Sequence, residues 1–297
     1  MKKLLGILVL GLFLFNFKVY AGVSCKTTGC PKYPRVTKIT GIPFGISDFQ
    51  KSQGKKPFIN NYYIFHFKPL EEKPSPYVIL IPSSGGISHG SRDYMYRYSK
   101  DFLNNGFGAV IVDIFYNTKV KKGTLARGPL SSMASLSTIK YIEENFPNYT
   151  NGKFGITGGS RGGMTVLSLA GDLIRENFLF ENVKSWFDAG AAFYPSCGKQ
   201  HLTMPVVIFI GEKDDWLSAA SCRSMESRSK EQIDSGMLKI YIYEDAHHSF
   251  NNRRHKKAYK VTAKGHDYPG HTLKYNKKAD LHSQQTMLEF FTKHLYK

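Results

Sequence analysis

Seven short apolar runs punctuate this chain with little polar alternation inside them. They are Tyr62–Phe67, Val78–Ile81, Ala109–Val112, Phe154–Thr157, Ala189–Tyr194, Val206–Ile210 and Lys239–Tyr243. Helix-length stretches lie between or after them: Tyr94–Asn104, Ser131–Phe146, Gly163–Glu176, Ala219–Ser235 and Leu281–Leu295. A strand that is apolar on both faces must be covered on both, and intervening helices supply that cover. The pattern predicts an α/β fold, an open, doubly wound and mostly parallel sheet. Tyr62–Phe67 is expected as an antiparallel edge strand ahead of it. Sheets of this kind gather their chemistry at the carboxyl ends of the strands.

The chain has 297 residues, of which 41% are hydrophobic, which excludes a disordered polymer. No repeat of solenoid length is present, so residues 22–297 read as one domain opened by an extended arm over 22–60. Residues 1–21 read as a signal peptide. Lys2 and Lys3 precede the apolar run Leu4–Phe17, and Val19 and Ala21 supply the −3 and −1 positions of a cleavage site. The run is too short to span a bilayer, and nothing after it is a transmembrane candidate. Export to a periplasmic or secreted location predicts oxidised cysteines. The spacing of the four favours Cys25–Cys30 and Cys197–Cys222. No Cys or His spacing suits a metal site.

Two stretches match the pattern G-x-S-x-G, so the pattern alone is a weak warrant. Gly158-Gly159-Ser160-Arg161-Gly162 follows an apolar strand directly and opens an apolar helix. That is the sharp strand-to-helix turn that holds a nucleophilic hydroxyl at a helix N-terminus. Gly86-Ile87-Ser88-His89-Gly90 begins some residues after its strand, inside a loop. A serine nucleophile needs a base, and the base needs an orienting acid. Asp214 and Asp215 follow Val206–Ile210, and His247 and His248 follow Lys239–Tyr243. Serine, acid and histidine therefore occur in the order used by hydrolases of this architecture, each after a separate strand.

These motifs resemble those of the dienelactone hydrolase family of α/β-hydrolases. The resemblance rests on the GGSRGG turn, the GEKDDW acid loop, the YEDAHHSF histidine loop and the final LKYNKKADLHSQQTMLEFFTKHL helix. It implies Ser160 as nucleophile, Asp214 rather than Asp215 as acid, and His248 rather than His247 as base. It also implies an oxyanion hole from the backbone amides of Arg161 and Ser84. No metal or organic cofactor is implied. The namesake enzymes use cysteine as nucleophile, so Ser160 shifts the expectation from dienelactone cleavage to ordinary ester hydrolysis.

The formal net charge is +18, and removal of Lys2, Lys3 and Lys18 with the leader leaves +15. Residues 251–280 carry nine Lys or Arg against Asp267 and Asp280. This stretch follows the histidine loop and is expected as an irregular, mobile basic insertion at the rim of the site. Charge of this kind attracts anionic substrates or anionic surfaces, whereas no nucleic-acid-binding fold is present. The expected partner is a small-molecule ester. The competing readings are a peptidase on the same fold and a non-catalytic binder of anionic surfaces.

Overall fold

Eight strands form one sheet in the order β1-β2-β4-β3-β5-β6-β7-β8. The structure is a computed structural model describing residues 35–40, 61–87, 90–116, 127–171, 186–261 and 270–296. The leader, the Cys25–Cys30 pair, Ser88 and residues 262–269 lie outside the described residues. The strands are β1 (Arg35–Thr40), β2 (Asn61–Phe67), β3 (Ser75–Ile81), β4 (Gly108–Asp113), β5 (Thr150–Gly159), β6 (Ala189–Phe193), β7 (Val206–Gly211) and β8 (Leu238–Tyr243). From β4 to β8 every neighbouring pair is parallel, while β2 runs antiparallel to both β4 and β1.

The expected parallel sheet is therefore present, and its antiparallel member is Tyr62–Phe67. That strand is not the edge, however. β1, drawn from the arm, pairs outside it over six residues and becomes the edge itself. The burial of β2 explains the displacement: Tyr62, Ile64, Phe65 and Phe67 are all buried, and an apolar strand of this kind needs a partner on each side.

Among the described residues, six helices accompany the sheet: α1 (Arg92–Asn104), α2 (Arg127–Asn145), α3 (Arg161–Ala170), α4 (Ala219–Arg228), α5 (Lys230–Asp234) and α6 (Lys277–Leu295). Side chains on a strand alternate between faces, and β5 shows which helix covers which. A Cβ added to Gly155 would lie 2.7 Å from Phe291 of α6, whereas one on Gly158 would meet the backbone of Gly162 in α3 at 2.6 Å. α6 thus covers one face and α3 the other. Phe291 is fully buried, and its truncation to alanine would cost about 3–5 kcal/mol.

The helix expected over Ala219–Ser235 is two, broken at Ser229, and the one expected from Gly163 starts at Arg161. The basic stretch 251–280 is less irregular than its composition implies. Asn251 and Asn252 are buried at its start, and Ala279 and Asp280 at its end. β9 (Tyr259–Val261) and β10 (His271–Leu273) pair between them as an antiparallel hairpin. Specific polar contacts, invisible to a composition argument, hold its two ends. No helix among the described residues is long and apolar enough to cross a membrane.

Candidate active site

Ser160 stands between β5 and α3 at φ 56° and ψ −119°. Positive φ in a serine costs about 1–3 kcal/mol and persists only where its surroundings enforce it. Here the Ser160 amide donates to the Phe193 carbonyl at 2.9 Å. Glycine is obligatory at the flank of the turn, because a Cβ on Gly162 would sit 2.2 Å from the Ile81 carbonyl oxygen. That contact also presses the loop after β3, which carries Ser84, against the start of α3. Ser84 is exposed there, in a turn closed by Gly86 N–H donating to Ser83 O at 2.9 Å. The Arg161 amide belongs to the first turn of α3, where backbone N–H groups have no partner within the helix. The Arg161 guanidinium lies over the Phe115 ring and donates to Ser131 Oγ at 2.9 Å.

Asp214 and His248 come together after β7 and β8. His248 Nδ1 donates to Asp214 Oδ2 at 2.7 Å, and both side chains are buried. The other carboxylate oxygen of Asp214 accepts from the amides of Trp216 and Leu217 at 2.9 and 2.8 Å. Asp214 is thus locked by its own turn and holds the imidazole from Nδ1, which leaves Nε2 as the acceptor. It does not cap α4, whose N-cap is Ser218.

Asp215 has a different task. Its carboxylate accepts from the Thr272 amide and hydroxyl, and its carbonyl meets His271 Nδ1 at 2.8 Å. His247 is also separate: its buried Nδ1 has no hydrogen-bond partner. Burial, then the charge of Lys274, pushes its imidazole below the ordinary range.

Tyr194, at the end of β6, links the two halves. A Cβ on Gly159, the neighbour of Ser160, would lie 2.6 Å from the Tyr194 hydroxyl, and the Tyr194 ring packs edge-on to His248 with centroids 4.7 Å apart. The Tyr194 hydroxyl donates to Asn251 Oδ1 at 2.8 Å, and Asn251 Nδ2 donates to Tyr98 at 3.0 Å. Burial drives both phenols well above their ordinary range, so both stay neutral, Tyr194 donating to Asn251 and Tyr98 accepting from it. Three described non-glycine residues have positive φ: Ser160, Tyr194 and Ser249. All three border this site, as stored strain commonly does.

Two residues here escaped the reading of the sequence. Asp113 ends β4 buried, and its carboxylate accepts from the amides of Ile87 and Phe115 at 2.6 and 2.8 Å, fixing the loop beside the serine turn. An acid closing an apolar run was the available signal, the same that marked Asp214. Asn251 carried no comparable signal, since its role depends on tyrosines from two distant elements. Trp216 completes the surface. It is partly exposed, lies 5.1 Å from the His248 ring and stacks on His271 at 4.7 Å.

The sheet order, with a strained serine and an acid–histidine pair at the strand ends, defines an α/β-hydrolase fold. The dienelactone hydrolase family model matches residues 64–295. The chain belongs to the dienelactone hydrolase family. Among solved structures it is similar to a dienelactone hydrolase-like promiscuous phosphotriesterase from metagenomic libraries, at 15% identity and TM-score 0.59, covering 87% of this chain and 98% of that one. It is similar to esterase 2 of Thermogutta terrifontis, phosphorylated by paraoxon, at 16% identity and TM-score 0.58, covering 89% and 95%. The esterase Pf2001 of Pyrococcus furiosus matches at 13% identity and TM-score 0.58, covering 92% and 97%. At such identities these likenesses show the fold. No curated protein sequence gives a significant match.

Proposed function

We propose that the protein is a serine hydrolase acting on small carboxylic esters. The observation that carries this reading is the buried His248–Asp214 pair at 2.7 Å, on the same sheet end as the strained Ser160. Ser160 Oγ attacks the acyl carbon while His248 Nε2 takes its proton. The imidazolium, held by Asp214, then delivers that proton to the departing alcohol. Water, activated by the same imidazole, releases the acid from the acyl-enzyme. The Arg161 and Ser84 amides serve as donors to the oxyanion. None of these steps draws on a metal or organic cofactor.

A fluorophosphonate probe tests the reading directly, and the paraoxon adduct of the Thermogutta esterase makes an organophosphate a natural second probe. Ser160→Ala should abolish labelling and lower p-nitrophenyl ester turnover about a thousandfold or more, and His248→Ala should match it. Labelling that survives Ser160→Ala would overturn the assignment, and a folded protein that neither labels nor turns over esters would overturn the hydrolase.

Export accords with the disulfide between Cys197 and Cys222, whose Cα atoms lie 4.9 Å apart, because such bonds persist in oxidising compartments. N-terminal sequencing of the protein from its source cell should begin at Gly22. A sequence beginning at Met1 would count against a cleaved leader.

A further inference from the structure

The stretch after the histidine loop lines a shallow, open concavity of about 940 Å³ between Gly90 and residues 253–259. Arg253, Arg254, Lys256 and Lys257 line it, together with His255. Arg253 is committed inward, with Nε 3.5 Å from the buried Asp280. Arg254, Lys256 and Lys257 are exposed, and none forms an ion pair with a carboxylate among the described residues. Three cations thus border one hollow, with no carboxylate paired to them among the described residues.

The backbone of residues 252–255, along one side of the hollow, is held by hydrogen bonds. The buried Asn252 accepts from the Arg254 amide through Oδ1 at 3.1 Å and donates from Nδ2 to the Gly90 carbonyl at 2.9 Å, joining both walls. The His255 carbonyl accepts from the Tyr275 amide at 2.8 Å, and the Arg253 amide donates to Asp93 at 3.3 Å. His255 lies parallel to the Tyr259 ring at an interplanar angle of 4°. A backbone pinned at four points loses little entropy when a ligand enters.

We propose that this hollow is a binding site for a phosphate group. A phosphate offers several acceptor oxygens and more than one negative charge, which suits a guanidinium fork beside two ammonium groups. The volume leaves room for whatever bears the phosphate, either a soluble phosphorylated molecule or a lipid headgroup. The site requires no turnover, so it stands or falls separately from the ester reading.

Inorganic phosphate and pyrophosphate would be titrated calorimetrically into the full-length protein, with ionic strength held constant by sodium chloride. The variant R254Q/K256Q/K257Q should bind at least tenfold more weakly than the parent. K199Q/K230Q/K293Q, which removes equal charge from exposed positions elsewhere, should change binding less than twofold. R254Q alone, a milder change, should weaken binding at least threefold. Vesicle sedimentation separates the sources. Capture by phosphatidylglycerol but not phosphatidylcholine vesicles, lost in the first variant, assigns a lipid headgroup. Phosphate binding without vesicle capture assigns a soluble ligand. Equal weakening in both triple variants, or no saturable binding to either phosphate or vesicles, overturns the site.

Discussion

Asp215 receives two hydrogen bonds from Thr272, one from the amide at 2.8 Å and one from the hydroxyl at 2.9 Å. Its neighbour Asp214 points its carboxylate at His248 instead. Two adjacent acids thus divide between holding His248 and clasping the basic hairpin. Asp214→Asn should lower kcat about a thousandfold or more with little change in KM. Asp215→Asn should hold turnover of a small ester within about tenfold and speed proteolysis in the hairpin. Equal losses of kcat would contradict this division of labour.

Asp113 should matter to catalysis without touching substrate. Removing its carboxylate leaves the Ile87 and Phe115 amides without their buried acceptor, a loss of about 1–3 kcal/mol for each group left unsatisfied. Asp113→Ala should therefore lower both the melting temperature and the rate of fluorophosphonate labelling. Asp113→Asn, which retains an acceptor oxygen, should recover most of the labelling rate. If both variants label at the parental rate, the loop does not depend on this anchor.

Trp216 presents an aromatic face beside His248. Trp216→Ala should raise KM for aromatic esters several-fold more than for acetate esters, since ring–ring contact adds about 0.5–1.5 kcal/mol beyond area burial. Steady-state kinetics on the two series decides this, and a uniform change would remove Trp216 from substrate contact.

Strand and helix order was legible because uninterrupted apolar runs have one stable use, a sheet covered on both faces. The position of Ser160, Asp214 and His248 just beyond strand ends was legible because each follows such a run. The edge position was misjudged for Tyr62–Phe67, since Arg35–Thr40 alternates weakly and shows its role only through pairing. The order in residues 253–259 was missed because it rests on Asn252 reaching Gly90, a contact between distant positions. Composition described the charges there correctly and said nothing of the anchors.

His66 should make the fold sensitive to acid. Burial, with help from the charges of Arg35 and Lys68, lowers its pKa from 6.5 to about 4. The unfolded chain therefore binds the proton more readily between those values, so stability is present above pH 6.5 and lost as pH falls towards 4. The difference amounts to about 3 kcal/mol. The melting temperature of His66→Gln should fall less steeply than that of the parent across this interval. Parallel curves would show that His66 contributes nothing to the acid limb.

Breaking the link between Cys197 and Cys222, 25 residues apart in sequence, should cost roughly 3 kcal/mol in the chain-entropy account. The double serine variant should melt several degrees lower, and non-reducing peptide mapping of the parent should recover the linked pair. Recovery of both peptides unlinked from oxidised protein would refute the bond.

Asn251 has a consequence for the order in which the molecule becomes active. Its carbonyl accepts from Arg97 at 2.7 Å, and the same guanidinium donates to the buried Asp280 at 3.1 Å. The Phe250 carbonyl, two residues from His248, accepts from the Asn276 amide at 2.9 Å. Ribosomes make Ser160 long before they make Asn276 and Asp280. A chain truncated before Asn276 is therefore expected to lack the seat of the histidine loop, and with it the ester turnover proposed above.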